Sequence, residues 1–321
     1  MKPLRRLVVV LLWLVALPVL GLAVVRALPH DGTFPLAQAV GFVPWAALVT
    51  VPLIAIALAA RRSFLAFLLI VAVGFFGFWM SAFWLPSTSA VPVLDPDDPG
   101  TLRVMTVNAL YGRVDAEAVV DAVRDENVEV LAVQELTPGL VDALFDAGLD
   151  DVLPHSTTHR LDEPAAGSGL WSAVELRDVD EGPDSGFAMP SALVDAGGTD
   201  VRVTVVHPVP PLLSTTGRWH DELAVLADRV HADGTPQVLA GDFNATFDHP
   251  SFRAVLGDRF QDASRAWGTG TAFTWPADRQ IPPVLALDHV VVENDMRVSD
   301  VVAVTLPGTD HRAVVATVAV P

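Results

Sequence analysis

An α/β domain behind a hydrophobic anchor is the architecture this sequence predicts, and three observations lead to it. The 321 residues are 51% hydrophobic with a mean hydropathy of +0.44, above the level of a water-soluble globular chain. The excess sits in one place: residues 1–86 hold six Lys or Arg and one acid, Asp31, whereas residues 87–321 hold 14 Arg, no Lys and 37 acids, a net charge of −23. After residue 100, short β-like apolar runs alternate with helical ones, and those runs end repeatedly on polar residues. The division excludes a freely soluble cytosolic enzyme and a disordered acidic tail, because the second part has regular apolar runs and length enough for one large core. The absence of Cys excludes disulfides, zinc thiolate sites and cysteine nucleophiles.

Residues 1–86 read as an anchor of three spans. Leu7 to Leu28 is interrupted only by Pro18 and Arg26, and Leu36 to Ala60 and Phe64 to Leu85 carry no charge. Each reaches the ~20 residues that a ~30 Å hydrocarbon core requires. Pro44 and Pro52 predict kinks in the second span, and Trp79 and Trp84 fit an interfacial belt. Lys2, Arg5 and Arg6 precede the first span and Arg61 and Arg62 follow the second, so the positive-inside rule sets the N-terminus in the cytoplasm. Three crossings then deliver the acidic domain to the outer side of a cell membrane. A cleaved signal peptide over residues 1–28 is the rival reading, but Val24-Val25-Arg26 is a poor cleavage site and two apolar stretches follow. Residues 87–100 (STSAVPVLDPDDPG, rich in Pro, Ser and Asp) read as a linker, and residues 101–321 as the domain.

Along the domain, Leu102 to Val107 predicts a strand ending at Asn108, and Asp115 caps a helix running to about Glu126. Val128 to Val133 is a second strand, closed by Gln134-Glu135; Thr137-Pro138 opens the next helix with a cap and a first-turn Pro. Val201 to Val206 is a strand ending in His207, Trp219 to His231 a helix, and Gln237 to Ala240 a strand ending in Gly241-Asp242. Val284 to Val292 and Ala313 to Val318 are further strands, flanking Asp288 and Asp310-His311. One polar residue at a strand end carries no information. Six such positions predict a cluster along one edge of a layered sheet domain, where a rigid scaffold holds reactive groups.

Carboxylates, amides and imidazoles without thiols suit a hard divalent cation, Mg²⁺ or Mn²⁺, bound through oxygen. An Asp–His pair can prepare a water for attack, the carboxylate fixing the tautomer of the ring. Together these fit phosphoester hydrolysis. A serine-nucleophile reading has no GxSxG elbow behind it. His249 and His289 read as structural, His155, His159, His220 and His231 as surface or helix positions, and Trp171, Trp267 and Trp275 as core. Arg113 stands between a phosphate clamp and a surface charge.

The strings TVNAL, VQEL, VVHP, LAGDFNAT, LDHV and GTDHRAV, in that order, resemble the endonuclease/exonuclease/phosphatase superfamily, which includes pancreatic-type deoxyribonuclease and neutral sphingomyelinases. The resemblance runs from about Thr101 to Val318 and looks like a membrane-anchored bacterial branch. It implies a four-layer α/β sandwich, two mixed sheets face to face with helices outside. It also implies Glu135 as principal metal ligand with Asn108 beside it and Asp310 close by. His311 would act as base or phosphate-polarising group oriented by Asp288, and Asp242 and Asn244 would position water and a phosphate oxygen, with Asp242 the rival base. His207 would contact the phosphate. Nucleolytic members use a mid-domain Tyr, whereas the single Tyr here, Tyr111, adjoins the first motif. That separates the chain from abasic-site-type DNA chemistry.

Charge then orders the substrates. A polymer of phosphates is repelled by a lysine-free domain of net charge −23, so a lipid-linked or small phosphoester at the outer membrane face is preferred, with the bilayer itself the only other partner expected. An extracytoplasmic nuclease acting on DNA or RNA is the alternative enzyme, and a non-catalytic binding domain on the same scaffold the alternative class.

Overall fold

The computed structural model describes residues 2–91, 94, 98–163, 165–268 and 270–321. The chain begins with α1 (Lys2–Ala27), α2 (Leu36–Val40), α3 (Val43–Ala59) and α4 (Ser63–Ser81). It continues through β1 (Thr101–Asn108), α5 (Ala116–Asp125), β2 (Val130–Gln134), α6 (Pro138–Asp146), β3 (His155–His159), β4 (Ser168–Ser172), β5 (Arg177–Asp180), β6 (Ser191–Ala196) and β7 (Thr199–Val206). The last elements are α7 (Thr216–Ala232), β8 (Gln237–Asp242), α8 (Pro250–Leu256), β9 (Phe260–Asp262), α9 (Ala263–Trp267), β10 (Asp288–Glu293), β11 (Arg297–Thr305) and β12 (Arg312–Ala319).

The strands form two mixed six-stranded sheets, ordered β11-β12-β1-β2-β4-β3 and β5-β6-β7-β8-β10-β9. Each contains one parallel pair, β1 with β2 and β7 with β8, and the helix joining each pair covers that sheet's outer face. The facing sheets close a core around Val104, Val130, Val203, Val238, Val290 and Val314. Met105, Val107, Leu131 and Val315 point the other way, onto Val119, Val123, Leu140 and Leu144 of α5 and α6. Leu239 and Val291 likewise meet Trp219, Leu223 and Phe252 of α7 and α8. Burial on both faces explains why the central strands read as near-continuous apolar runs. The result is the expected four-layer sandwich. Asp115 and Thr137 are the helix caps the sequence predicts, accepting from the amides of Ala118 at 3.0 Å and Leu140 at 3.3 Å.

Three expectations need correction. The second span is not one helix: the chain breaks at Gly41-Phe42 between α2 and α3, because the ring of Pro44 excludes a helical carbonyl at Val40, four residues back. The segments Arg6–Ala27 and Ser63–Ser81 are long and apolar enough to cross a membrane, whereas the 17 residues of α3 span about 25 Å. The third helix stops at Ser81 rather than Leu85. The strand expected from Val284 starts at Asp288, since Pro282 and Pro283 remove two donors and Leu285 makes only an isolated bridge to Trp275. Of the expected linker, residues 92, 93 and 95–97 lie outside the described residues. The rest is pinned: Ser87 donates its amide to Ala266 O at 2.9 Å and Val91 to Val298 O at 3.1 Å.

The N-terminal helices pack around Ala16, Ala46, Ala57, Ala66 and Ala72 with Leu12, Leu69 and Phe76. Their outer faces carry Leu14, Leu17, Phe64, Phe67 and Phe78, all exposed. Alanines let the helices approach closely inside, and large apolar side chains are left on their outer faces.

This bundle also docks on the sandwich. Arg26, at the end of α1, is buried and bonds Asp248 at 2.6 Å while lying over the ring of Trp79. Asp31 is buried and accepts from the amide and hydroxyl of Ser251. Ala37 and Phe83 belong to the same apolar cluster as Trp219 and Phe252.

Candidate active site

The two sheets bring their polar ends together at one rim of the sandwich. From the first sheet come Asn108 at the end of β1, Glu135 just after β2, and Asp310 and His311 just before β12. From the second come His207 just after β7, Asp242 closing β8, Asn244 beyond it, and Asp288 opening β10. Asp242 and Asp288 are direct register partners on antiparallel strands, so their side chains lie side by side. Gly241 permits this approach of β7 and β8, since a Cβ there would come within 2.0 Å of Val206 O. All eight residues expected from the sequence thus meet at this rim; four of them, Asn108, Glu135, Asp242 and Asn244, share one set of hydrogen bonds, and Asp288 and His311 form a second.

Asn108 joins the sheets, its amide nitrogen donating to Asp242 Oδ2 at 3.0 Å and to Glu135 Oε1 at 3.2 Å. Glu135 Oε2 accepts the Tyr111 amide at 2.8 Å, and Asp242 Oδ1 accepts the Asn244 amide at 2.8 Å. Asn244 donates its side-chain amide to Pro208 O at 3.0 Å. His311 donates from Nδ1 to Asp288 Oδ2 at 2.8 Å, which leaves Nε2 facing Asp242 at 3.8 Å and Asp310 at 3.9 Å. Trp275 holds Asp310 through Oδ2 at 2.9 Å. His207 stands apart from these bonds, its ring lying 4.6 Å from that of Phe187. Buried Asp288 Oδ1, Asp310 Oδ1 and His207 Nδ1 have no hydrogen-bond partner among the described residues, and of these Asp310 and His207 line the cleft. Leu110, Tyr111, Glu135 and Asn244 all hold positive φ, between 46° and 54°. Four such non-glycine residues around one cluster mark backbone held in place by its surroundings.

Electrostatics follow from burial. Burial works against a charged ring at His311, but Asp288 and Asp242 beside it overturn that and raise its pKa to about 10. Burial raises Asp242 to about 7, with His311 opposing and Asp288 reinforcing the shift. Burial also raises Glu135, against the Tyr111 and Asn108 hydrogen bonds. His207 is depressed to about 3 by burial, helped by the charge on His311, so its ring is neutral.

Two sets of donors stand near enough together to be weighed as a cation site. Asp242, Asp288 and His311 offer ligand atoms within 4.8 Å of one another, and Glu135, Asn108 and Asp310 flank the same cleft. An imidazole protonated on both nitrogens has no lone pair for a metal. The carboxylate-and-amide set with its unpaired Asp310 oxygen therefore fits an ion bound through oxygen better.

The cleft has a volume of about 520 Å³ and is lined at its polar end by Glu135, His207, Asp242, Asn244, Asp310 and His311, with Asn108 and Asp288 behind them. Its remaining walls were not legible in the sequence. Trp275, expected in the core, lines the cleft, and so do Phe187, Leu285 and, from the N-terminal segment, Gln38 and Phe42. Arg113 is not among the lining residues; its guanidinium lies 6.0 Å from the Tyr111 ring. His289 is structural as expected, bonded to Asp262 and, at 2.9 Å, to Ala245 O. His249 is structural too and holds the N-terminal segment. Its Nδ1 accepts the Thr246 amide at 2.9 Å, so Nε2 carries the proton and donates to Ala37 O at 2.6 Å.

Solved structures share this fold. A truncated Caenorhabditis elegans TDP2 superposes with a TM-score of 0.56 at 18% identity, covering 68% of this chain and 98% of that one. The endonuclease/exonuclease/phosphatase family protein from Leptotrichia buccalis C-1013-b gives a TM-score of 0.53 at 13% identity, covering 68% of this chain and 100% of that one. The endonuclease/exonuclease/phosphatase from Beutenbergia cavernae DSM 12333 gives 0.53 at 20% identity, covering 68% and 72%. No protein of curated function matches the sequence. The profile of the Endonuclease/Exonuclease/phosphatase family matches residues 105–311, more than half of the chain and the stretch that runs from β1 to His311. By that match, and by the two-sheet rim that carries its polar residues, the chain belongs to the endonuclease/exonuclease/phosphatase family.

Proposed function

We propose that the protein is a membrane-anchored, divalent-metal-dependent phosphoester hydrolase whose site lies at the outer face of the membrane. The observation that carries this reading is the Asp288–His311–Asp242 arrangement facing Glu135 and Asp310 across one cleft. Glu135, Asn108 and Asp310 would hold Mg²⁺ or Mn²⁺, which supplies charge neutralisation for the phosphoryl oxygens. Asp288 fixes the ring of His311, and the two carboxylates keep a proton on it. The charged ring then offers its Nε2 proton to a phosphate oxygen. Asp242, fixed by the amides of Asn108 and Asn244 and with a pKa near neutrality, is the group suited to accept a proton from the attacking water. His207, neutral, donates or accepts a hydrogen bond at the phosphate, and Asn244 helps fix its position.

The substrate class favoured is a lipid-linked or small phosphoester. The domain's net charge of −23 opposes a polyanion, and the apolar N-terminal helices supply the membrane. The full chain in lipid nanodiscs is the material for the test, because the N-terminal segment walls the cleft. With Mg²⁺ or Mn²⁺, the reading expects hydrolysis of bis-p-nitrophenyl phosphate and phospholipid in preference to plasmid DNA or RNA, and loss of it in Glu135→Gln. Efficient nicking of plasmid DNA would replace it with the surface-nuclease reading. Absence of turnover on every substrate would favour a binding scaffold.

A further inference from the structure

The cleft is built from two parts of the chain, Ala37–Phe42 and the stretch from Leu110 onward, whose nearest lining residues are 68 positions apart. The break between α2 and α3 sets Gly41 against the sandwich, where a Cβ would come within 3.3 Å of Leu285 Cδ2 and 3.6 Å of Thr246 Cγ2. Phe42 follows at the mouth and is 43% exposed. Gln38 bonds Pro211 O, and Trp45 donates to Val284 O at 2.8 Å, so this segment is fastened to both sides of the opening. Besides Glu135 and His311, the cleft is lined by Phe42, Leu212, Leu285, Leu287 and Tyr111. Leu212 and Tyr111 are half exposed or more, and Leu213 extends the apolar rim outward at 76% exposure. A free phosphate or a sugar phosphate gives such a wall nothing to bind, and leaving it in water is unfavourable.

We infer that this wall is a subsite for the hydrocarbon part of an amphiphilic phosphoester, and that the Ala37–Phe42 segment makes it part of the active site. The inference rests on the hydrolase reading and specifies its substrate: the ester phosphate lies among Glu135, Asp242 and His311, and the chain it carries runs along Phe42, Leu212 and Leu285. The occupant is a single-chain or diacyl lipid phosphate drawn from the surrounding bilayer. The same N-terminal segment that lines the wall continues into helices whose outer faces are apolar.

The test uses monoalkyl phosphates from ethyl to dodecyl as competitors of bis-p-nitrophenyl phosphate hydrolysis by the full chain in nanodiscs. The wild type is compared with Phe42→Ala/Leu212→Ala, both exposed positions outside the catalytic cluster. The wild type is expected to bind each longer homologue more tightly, by about fourfold per methylene until the cleft is filled. The double variant is expected to lose about tenfold or more in its preference for decyl over ethyl phosphate, the ratio of the two being compared within each protein so that any change in basal turnover cancels. Partition into the bilayer is common to both proteins, so their difference reads the cleft. Equal chain-length dependence in the two proteins, or none in either, overturns the subsite while the hydrolase reading stands. Decyl phosphate with a terminal diazirine gives a readout free of turnover. Labelling of residues 37–42 and 210–213, competed by unmodified decyl phosphate and lost in the double variant, supports the subsite even if no ester is hydrolysed. Labelling confined to the outer faces of α1 and α4 overturns it.

Discussion

The N-terminal bundle and the sandwich differ less in what they bury than in what they leave outside. Both hide large apolar side chains, Val, Leu, Phe and Trp in the sandwich and Leu12, Leu65, Leu69 and Phe76 among alanines in the bundle, but the sandwich presents acids outward whereas the bundle exposes further Leu and Phe. Where they meet, polar bonds (Arg26 with Asp248, Asp31 with Ser251, His249 with Ala37 O) stand beside the apolar packing of Ala37 and Phe83 with Trp219 and Phe252. Charge buried in that seam must be paired within the protein. The same seam puts one wall on the catalytic cleft.

If the chemistry belongs to the rim of the sandwich, the largest effects come from its charged groups. His311→Ala and Asp242→Asn are each expected to lower kcat by about 10²–10⁴-fold. Asp242→Asn sets an NH2 against one of the two donors that Asp242 accepts, so it is expected to lower stability by about 1–3 kcal/mol, the cost of one buried hydrogen bond. Unchanged kcat in Asp242→Asn would return that residue to a purely structural role. The seam comes next. Asp248→Ala leaves Arg26 buried and unpaired and is expected to destabilise the docked state by about 3–5 kcal/mol, whereas Arg26→Met with Asp248→Leu comes close to neutral. Urea unfolding of the single and double variants reads the difference, and a neutral single variant would break the comparison by showing the two regions to be independent.

The sandwich should also respond to acid through His207. Its pKa falls from about 6.5 to about 3 on folding. The folded state refuses a proton that the unfolded chain accepts below its own pKa. Its contribution is therefore neutral above pH 6.5 and becomes a penalty as pH drops, reaching on the order of 4 kcal/mol near pH 3. Subtracting the stability curve of His207→Gln from the wild-type curve isolates that slope; parallel curves would contradict the burial assigned to His207. The smallest effect is local: Asp115→Ala removes the cap of α5 and is expected to cost about 1 kcal/mol with kcat unchanged, which chemical denaturation and a steady-state assay measure together.

The rim was legible because each of its residues closes or opens a buried strand. Asn108, His207 and Asp242 end apolar runs that could only be central strands, and Asp115 and Thr137 announce helices by their caps. Other elements left no such trace. β3 (HSTTH) and β5 (RDVD) are polar edge strands with no apolar run to mark them. Pro44 was visible as a kink, but its consequence, a chain break that sets Gly41 against Leu285, depends on what packs beneath it. Trp275 shows the same limit: its ring reaches Asp310 because of an approach between distant loops, which no periodicity encodes.

The account turns on the rim acting as a metal-dependent catalyst, and the most direct measurement is the initial rate of bis-p-nitrophenyl phosphate hydrolysis by the full chain in nanodiscs as Mn²⁺ is titrated. The account predicts a saturable rise from a metal-free baseline near zero, abolished by chelator, with the curve of Glu135→Gln displaced to much higher Mn²⁺. A rate indifferent to chelator, or a Glu135→Gln curve superposed on that of the wild type, would contradict it.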